Sequence, residues 1–420
     1  MSEFIRKEIC DGVAFNSIVD TRFKIGRISA TLVVPLSRQT ASANALLSCV
    51  LTRSCRKYPD FTALSRRLDY LYGAALYPSV RRMGDYQAIT VSAAGLDDRY
   101  ALDNESVSSE LADLLCSILF DPNLSDGLFN EEDVEQERRQ LIENIDAEFN
   151  DKRTYAINRC IDNMCRNEPF AVGRFGSRED VASLSPKSIV DAWQQLLKNA
   201  RVELAMVGSA SPDSAFEQFS SYFSNKPRPV PAFSNSSGFN GEVRNITETE
   251  EISQSKLVMG YRTALPSSSR DSIASSLMSA ILGGTPTSKL FLNVREKQSL
   301  CYYCASRMDN FKGILMIDSG VETQNIEKAE AAISEQLRLL KNGCITDDEL
   351  NEAKLAVRNA YISSLDSLGA LQGFYLNGII RGLPVSPQEA AEISGQITKD
   401  EITELAKQIQ PDTVFSLIGN

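Results

Sequence analysis

Residues 281–306 read ILGGTPTSKLFLNVREKQSLCYYCAS. The segment before them, SSRDSIASSLMSAIL, has a helical pattern, and Gly283 is placed as its stop, because glycine accepts the backbone conformation that ends a helix. LCYYCAS, at the far end, is a β-type run. A helix, a Gly-Gly turn and then a strand mark this region as mixed α and β.

Working outward, SKLVMGYRTAL (255–265) and GILMIDSGV (313–321) read as strands. NIEKAEAAISEQLRLLKN is a helix stopped by Gly343, and Thr346 with Glu349 forms a capping box opening NEAKLAVRNAYI. The first half of the chain has the same plan. RISATLVVPL (27–36) and YQAITVSAAG (86–95) are its strands, and Asn130 through Asp133 opens the helical EQERRQLIENI. SPKSIVDAWQQLLKN followed by RVELAMVG closes the first half at Gly208, as TKDEITELAKQIQ followed by TVFSLIG closes the second at Gly419. Landmarks that recur at nearly one spacing point to a duplicated domain. The expected fold is α+β: two homologous domains, 1–222 and 246–420, each an antiparallel or mixed sheet covered by helices. Residues 223–245, rich in Pro, Ser, Asn and Gly, are the expected linker.

Bulk properties narrow the function. A net charge of −11 argues against nucleic acid or an anionic membrane as partner. No apolar run approaches a membrane span and no secretory leader is visible, so the expected location is cytoplasmic. Nine scattered cysteines are not a disulfide framework. Cys301 and Cys304 form C-x-x-C, but on a regular strand positions three apart face opposite ways, so they read as small buried residues rather than a metal or redox site. The chain contains no histidine, which excludes Ser-His and Cys-His nucleophile pairs. It also lacks a P-loop, a dinucleotide fingerprint and a nucleophile elbow.

The segment 281–306 resembles the insulinase/pitrilysin-type zinc peptidases, in the small two-domain form of bacterial and mitochondrial processing peptidases. Gly283, Gly284, Ser288, Leu290, Phe291, Arg295, Glu296, Lys297, Leu300 and Tyr302 carry the likeness without a gap. RKYPDFTALSRRLDYLYGAAL (56–76) and EQERRQLIENI (135–145) extend it over both halves. Active members carry H-x-x-E-H on a helix: two imidazoles four apart bind Zn²⁺ on one face, and the Glu activates the bound water. The resemblance places that motif on Ala45, Ser48 and Cys49, none of which can replace its counterpart, and the third ligand on Glu135. A substitute thiolate site of Cys49, Cys55 and Glu135 is disfavoured, since such sites cluster three or four strong ligands.

The resemblance also implies that Arg295 and Tyr302 are the substrate-binding pair that a second half lends to a zinc site. A planar guanidinium and a phenol can both donate to a peptide carbonyl or to its oxyanion. The chain is thus expected to bind no zinc itself. It is expected to pair with a homologous subunit that carries H-x-x-E-H and holds the zinc, and to act with it on a peptide or precursor-peptide substrate. The alternative is a structural or binding protein that kept the fold and takes no part in proteolysis. Presequence recognition is not carried over, because the long Gly-rich loop it needs is reduced to Gly283 and Gly284.

Overall fold

The computed structural model describes residues 3–223, 228–229 and 241–419. It divides into two compact units: Met1–Asp146 with Val172–Phe233, and Ala147–Ala171 with Ser234–Asn420. Residues 224–227 and 230–240 of the expected linker lie outside the described residues.

The first unit holds strands β1 (Glu3–Cys10), β2 (Val13–Val19), β3 (Ile25–Pro35), β4 (Ala75–Met83), β5 (Tyr86–Leu96) and β8 (Arg201–Gly208), and a two-residue ladder β6 (Leu124–Ser125) and β7 (Leu128–Phe129). Its main sheet runs β1-β2-β8-β3-β5-β4. The second unit holds β9 (Arg244–Glu250), β10 (Ser255–Arg262), β11 (Cys301–Asp309), β12 (Ile314–Val321) and β13 (Gln410–Gly419), ordered β11-β12-β10-β13-β9. Without β1, the first order is β2-β8-β3-β5-β4, and the second, read from its other end, is β9-β13-β10-β12-β11. Strand directions match as well: β2 is parallel to β8 as β9 is to β13, and the remaining pairs are antiparallel in both. The expected α+β fold with two homologous domains is the fold of the chain.

Period-2 alternation sorts each strand between two faces. In the first sheet Phe15, Ile28, Ala30, Leu32, Ile89, Val91, Val202 and Leu204 join the core under the Ala41–Leu51, Val107–Phe120 and Pro186–Asn199 helices. In the second, Leu257, Met259, Tyr261, Leu315, Ile317 and Val414 face the Ser269–Ser279, Ile326–Lys341 and Lys399–Lys407 helices. Val258, Ile314, Met316, Phe415 and Leu417 form a separate core with the Lys152–Met164 helix. That helix comes from the first half of the sequence but packs within the second unit. Gly260 permits the contact, since a Cβ there would lie 2.8 Å from the Met164 sulfur. A buried ionic cluster fixes the segment that follows the helix. Glu168 accepts from Arg262 at 2.6 Å and lies 2.7 Å from the Lys312 ammonium, while Arg262 also donates to Asp412 at 3.1 Å.

Helix starts follow their caps. Thr346 and Glu349 exchange both bonds of the capping box at the head of the Asp347–Ser363 helix, as do Ser386 with Glu389 and Thr398 with Glu401 on theirs. Each cap is worth about 1 kcal/mol. Gly343, at φ 74°, follows the Ile326–Lys341 helix in the left-handed conformation expected of it.

Candidate functional site

The helix Ala41–Leu51 is sealed into the first core. Ala45 is fully buried and Ser48 is nearly so. The Ser48 hydroxyl donates to the Ala45 carbonyl at 2.8 Å, inside its own helix. Cys49 is half-buried, and burial raises its thiol to about 11, with the nearby Glu137 carboxylate pushing the same way. Forming the thiolate that a divalent cation would need is therefore costly at this position.

The acid whose charge acts on Cys49 is Glu137, two residues beyond Glu135, the position the family likeness singles out. The Glu135 side chain is half-exposed and pairs with Arg138 and Arg139 on the outer side of the Glu131–Asn150 helix. Helix phase explains the difference. Val134 and Leu141 are the buried positions, and at 3.6 residues per turn Glu137 lies close to their stripe while Glu135 is rotated away. The two positions are only two apart in a run of charges, so composition alone could not separate them.

A second residue missed from the sequence is Arg53. Its Nε stands 3.1 Å from Asp133, its Nη2 donates to Gln136 at 3.1 Å, and its Nη1 lies 3.6 Å from Glu137. The guanidinium rests over the Phe61 ring, 4.3 Å from its centre. Burial raises the Glu137 carboxyl above its usual value, and Arg53 partly offsets this. Asp133 and Glu137, the acids on this side of the helix, are thus already held by an organic cation. Ala45 offers no donor atom, Ser48 is satisfied internally, Cys49 loses its proton only at a cost and the acids are already paired, so these residues do not fit zinc. Among the described residues, no three His, Cys, Asp or Glu side chains are grouped to hold a metal ion.

In the second unit, the Ser269–Ser279 helix runs into wide π-type turns at Ala280–Gly284 and Phe291–Glu296. Gly283 is required by close approach: a Cβ would meet the Ser306 amide nitrogen and Leu290 Cδ1 at 2.7 Å. Buried Leu290 and Val294 anchor the second turn, and Lys289 is locked to Glu349 at 2.8 Å. Arg295 projects from it, with its guanidinium 4.5 Å above the Phe291 ring and 3.4 Å from the Glu296 carboxylate. Part of the guanidinium remains open to solvent, and a stacked, half-free arginine of this kind can still donate two parallel hydrogen bonds.

Tyr302 lies on β11, the edge strand of the second sheet. It is 60% exposed, which is unusual for a tyrosine next to a core strand. The cause is a β-bulge. Cys301 pairs with Val321 and Tyr303 with Gly320, which leaves Tyr302 without a partner on β12 and turns it outward. The bulge also corrects the expectation that Cys301 and Cys304 face opposite ways. Cys304 pairs with Ser319, so both cysteines stand over same-face residues of β12.

Residues 183–357 match the family model described as the peptidase M16 inactive domain. Over 409 residues the chain is 29% identical to the probable inactive metalloprotease YmfF of Bacillus subtilis, covering 97% of this chain and 96% of that one. It is 24% identical, over 60% of its length and 62% of the relative's, to the antilisterial bacteriocin subtilosin biosynthesis protein AlbE of Bacillus subtilis. A crystal structure of a conserved protein from Enterococcus faecalis superimposes with a TM-score of 0.90 at 27% identity, over 99% of both chains. Among the described residues no helix is long and apolar enough to cross a membrane.

Proposed function

From a chain that belongs to the M16 family, the insulinase/pitrilysin-type peptidases, and whose own zinc motif is degenerate, we infer a non-catalytic subunit of a heterodimeric zinc peptidase. The partner is a homologous chain that carries H-x-x-E-H and the zinc. The substrate is a peptide or a precursor peptide, and the setting is the cytoplasm. Arg295 and Tyr302 enter the partner's site and donate to the carbonyl under attack, where charge develops in the tetrahedral intermediate.

One contrast carries this reading. The zinc positions Ala45 and Ser48 are buried on an apolar helix, while Tyr302 stands exposed and Arg295 half-exposed. Large polar side chains turned out by a bulge and a wide turn serve binding better than stability. The name of the relative AlbE, which assigns it to bacteriocin biosynthesis, supports a precursor peptide as the substrate class.

The test is isolation of the chain from its native cells under mild conditions, with identification of stoichiometric companions and a zinc assay. The expected result is a one-to-one partner bearing H-x-x-E-H together with zinc. A complex with a non-peptidase, or a lone chain free of zinc, would replace this reading with that of a binding protein that kept only the fold.

A further inference from the structure

The bulge that turns Tyr302 outward also brings two thiols together. Ser319 and Val321 are two apart on β12 and share a face, so Cys304 and Cys301, opposite them, share that face too. The two thiols are near enough to perturb one another, and the Ser319 hydroxyl, which donates to the Tyr303 carbonyl at 2.9 Å, sits beside them. Cys301 is half-buried and reachable from solvent, whereas Cys304 is 5% exposed.

Their chemistry divides accordingly. The neighbouring Cys304 thiol draws the Cys301 thiol below its ordinary value against the effect of burial, with help from Ser319 and the positive charge of Arg295. Cys304 is held protonated by Cys301 beside it and by burial. A reachable, thiolate-prone sulfur beside a buried thiol is the arrangement of an attacking and a resolving cysteine.

We propose that Cys301 and Cys304 form a peroxide-sensitive oxidation site that closes a disulfide around Tyr302. The Cys301 thiolate attacks a peroxide oxygen; an S–O bond forms, the O–O bond breaks, and hydroxide leaves to take up the proton Cys301 released. The Cys304 sulfur then attacks the sulfenic sulfur; an S–S bond forms, the S–O bond breaks, and water leaves carrying the Cys304 proton. Two thiols and one hydrogen peroxide give one disulfide and two waters, with peroxide reduced and the sulfurs oxidised. The ring so closed holds Tyr302 in its short arc and removes the thiolate that Arg295 faces. Its effect on proteolysis rests on the function proposed above, whereas its formation does not.

The experiment treats the full chain with hydrogen peroxide, alkylates the remaining thiols, digests with trypsin and weighs the fragments. The fragment Gln298–Arg307 contains Cys301 and Cys304 and no other cysteine. The expected result is that both its alkylation sites vanish together with a loss of about 2 Da, about tenfold faster than exposed Cys344 is blocked, with recovery in dithiothreitol. In Cys304→Ser, Cys301 stops as a sulfenic acid that dimedone captures. Oxidation of Cys301 to sulfinic acid while Cys304 stays alkylatable, or loss no faster than at Cys344, overturns the proposal. A disulfide that forms yet leaves the partnered peptidase activity unchanged upholds the oxidation site and overturns the role given to Tyr302.

Discussion

Arg53 Nε lies 3.1 Å from Asp133 Oδ1, with both side chains largely withdrawn from water. The same guanidinium keeps Asp133 and Glu137 on one helix from facing each other without a counter-charge. Arg53→Met is expected to cost about 1–3 kcal/mol near neutral pH, mostly from acids left without their cation. The sign of the pH dependence follows from Glu137. Burial raises its folded-state value, so the folded chain binds its proton more tightly than the unfolded chain, and stability falls as pH rises through that value. Removing Arg53 takes away an influence that lowers the value, so the deficit grows from about pH 5 to about pH 7. Urea midpoints of both proteins at the two pH values decide it; an equal deficit at both would rule out Glu137 as the cause.

Rebuilding the family motif should not by itself rebuild the metal site. In Ala45→His/Ser48→Glu/Cys49→His, an imidazole must enter a position with no free surface and a carboxylate must replace a buried hydroxyl. Overpacking and burial of a charge are expected to cost about 2–5 kcal/mol. Arg53 would still occupy the carboxylates. Zinc measured in the purified variant should be well below one per chain, and should rise when Arg53→Ala is added. Stoichiometric zinc with Arg53 intact would show that the cation does not block the site.

How much of this was readable in the sequence depended on whether one periodicity ruled locally. β3, β5, β10 and β12 carry their alternation or apolar runs openly, and the capping box at Thr346 and the left-handed Gly343 place helix ends by local chemistry. The duplication was legible because helix-then-strand endings recur at Gly208 and Gly419. Three features were not legible. The bulge at Tyr302 has no turn glycine to announce it, yet it reverses which cysteines share a face. The facing acid depends on helix phase within NEEDVEQERR, where charges occupy both sides. The Lys152–Met164 helix packs in the second unit through Gly260 and Glu168, contacts far apart in the chain that no local pattern encodes.

Arg295 and Tyr302 separate function from stability. Both are solvent-facing, so Arg295→Ala and Tyr302→Phe should each shift unfolding by no more than about 0.5 kcal/mol. In the zinc-bearing complex, Arg295→Ala should lower kcat/KM by about 10²–10³-fold, the range for losing one oxyanion donor. Zinc content and partner binding should not change. If activity is retained with the complex intact, the pair plays no part in proteolysis.

Glu168 gives the last prediction. It accepts from Arg262 at 2.6 Å and neutralises Lys312 at 2.7 Å, and Lys312 has no exposed side-chain surface. Breaking a buried ion cluster by deleting one member leaves desolvated charge behind, at about 3–5 kcal/mol. Glu168→Ala should therefore destabilise the second unit by that amount. Its opening should begin locally, because Glu168 ties the segment after the Lys152–Met164 helix to β10. Amide exchange across residues 152–171 should quicken before that of β12. Uniform quickening of the whole sheet would mean that the cluster stabilises the unit without pinning this helix, and an unchanged urea midpoint would mean that Arg262 and Lys312 are satisfied without Glu168.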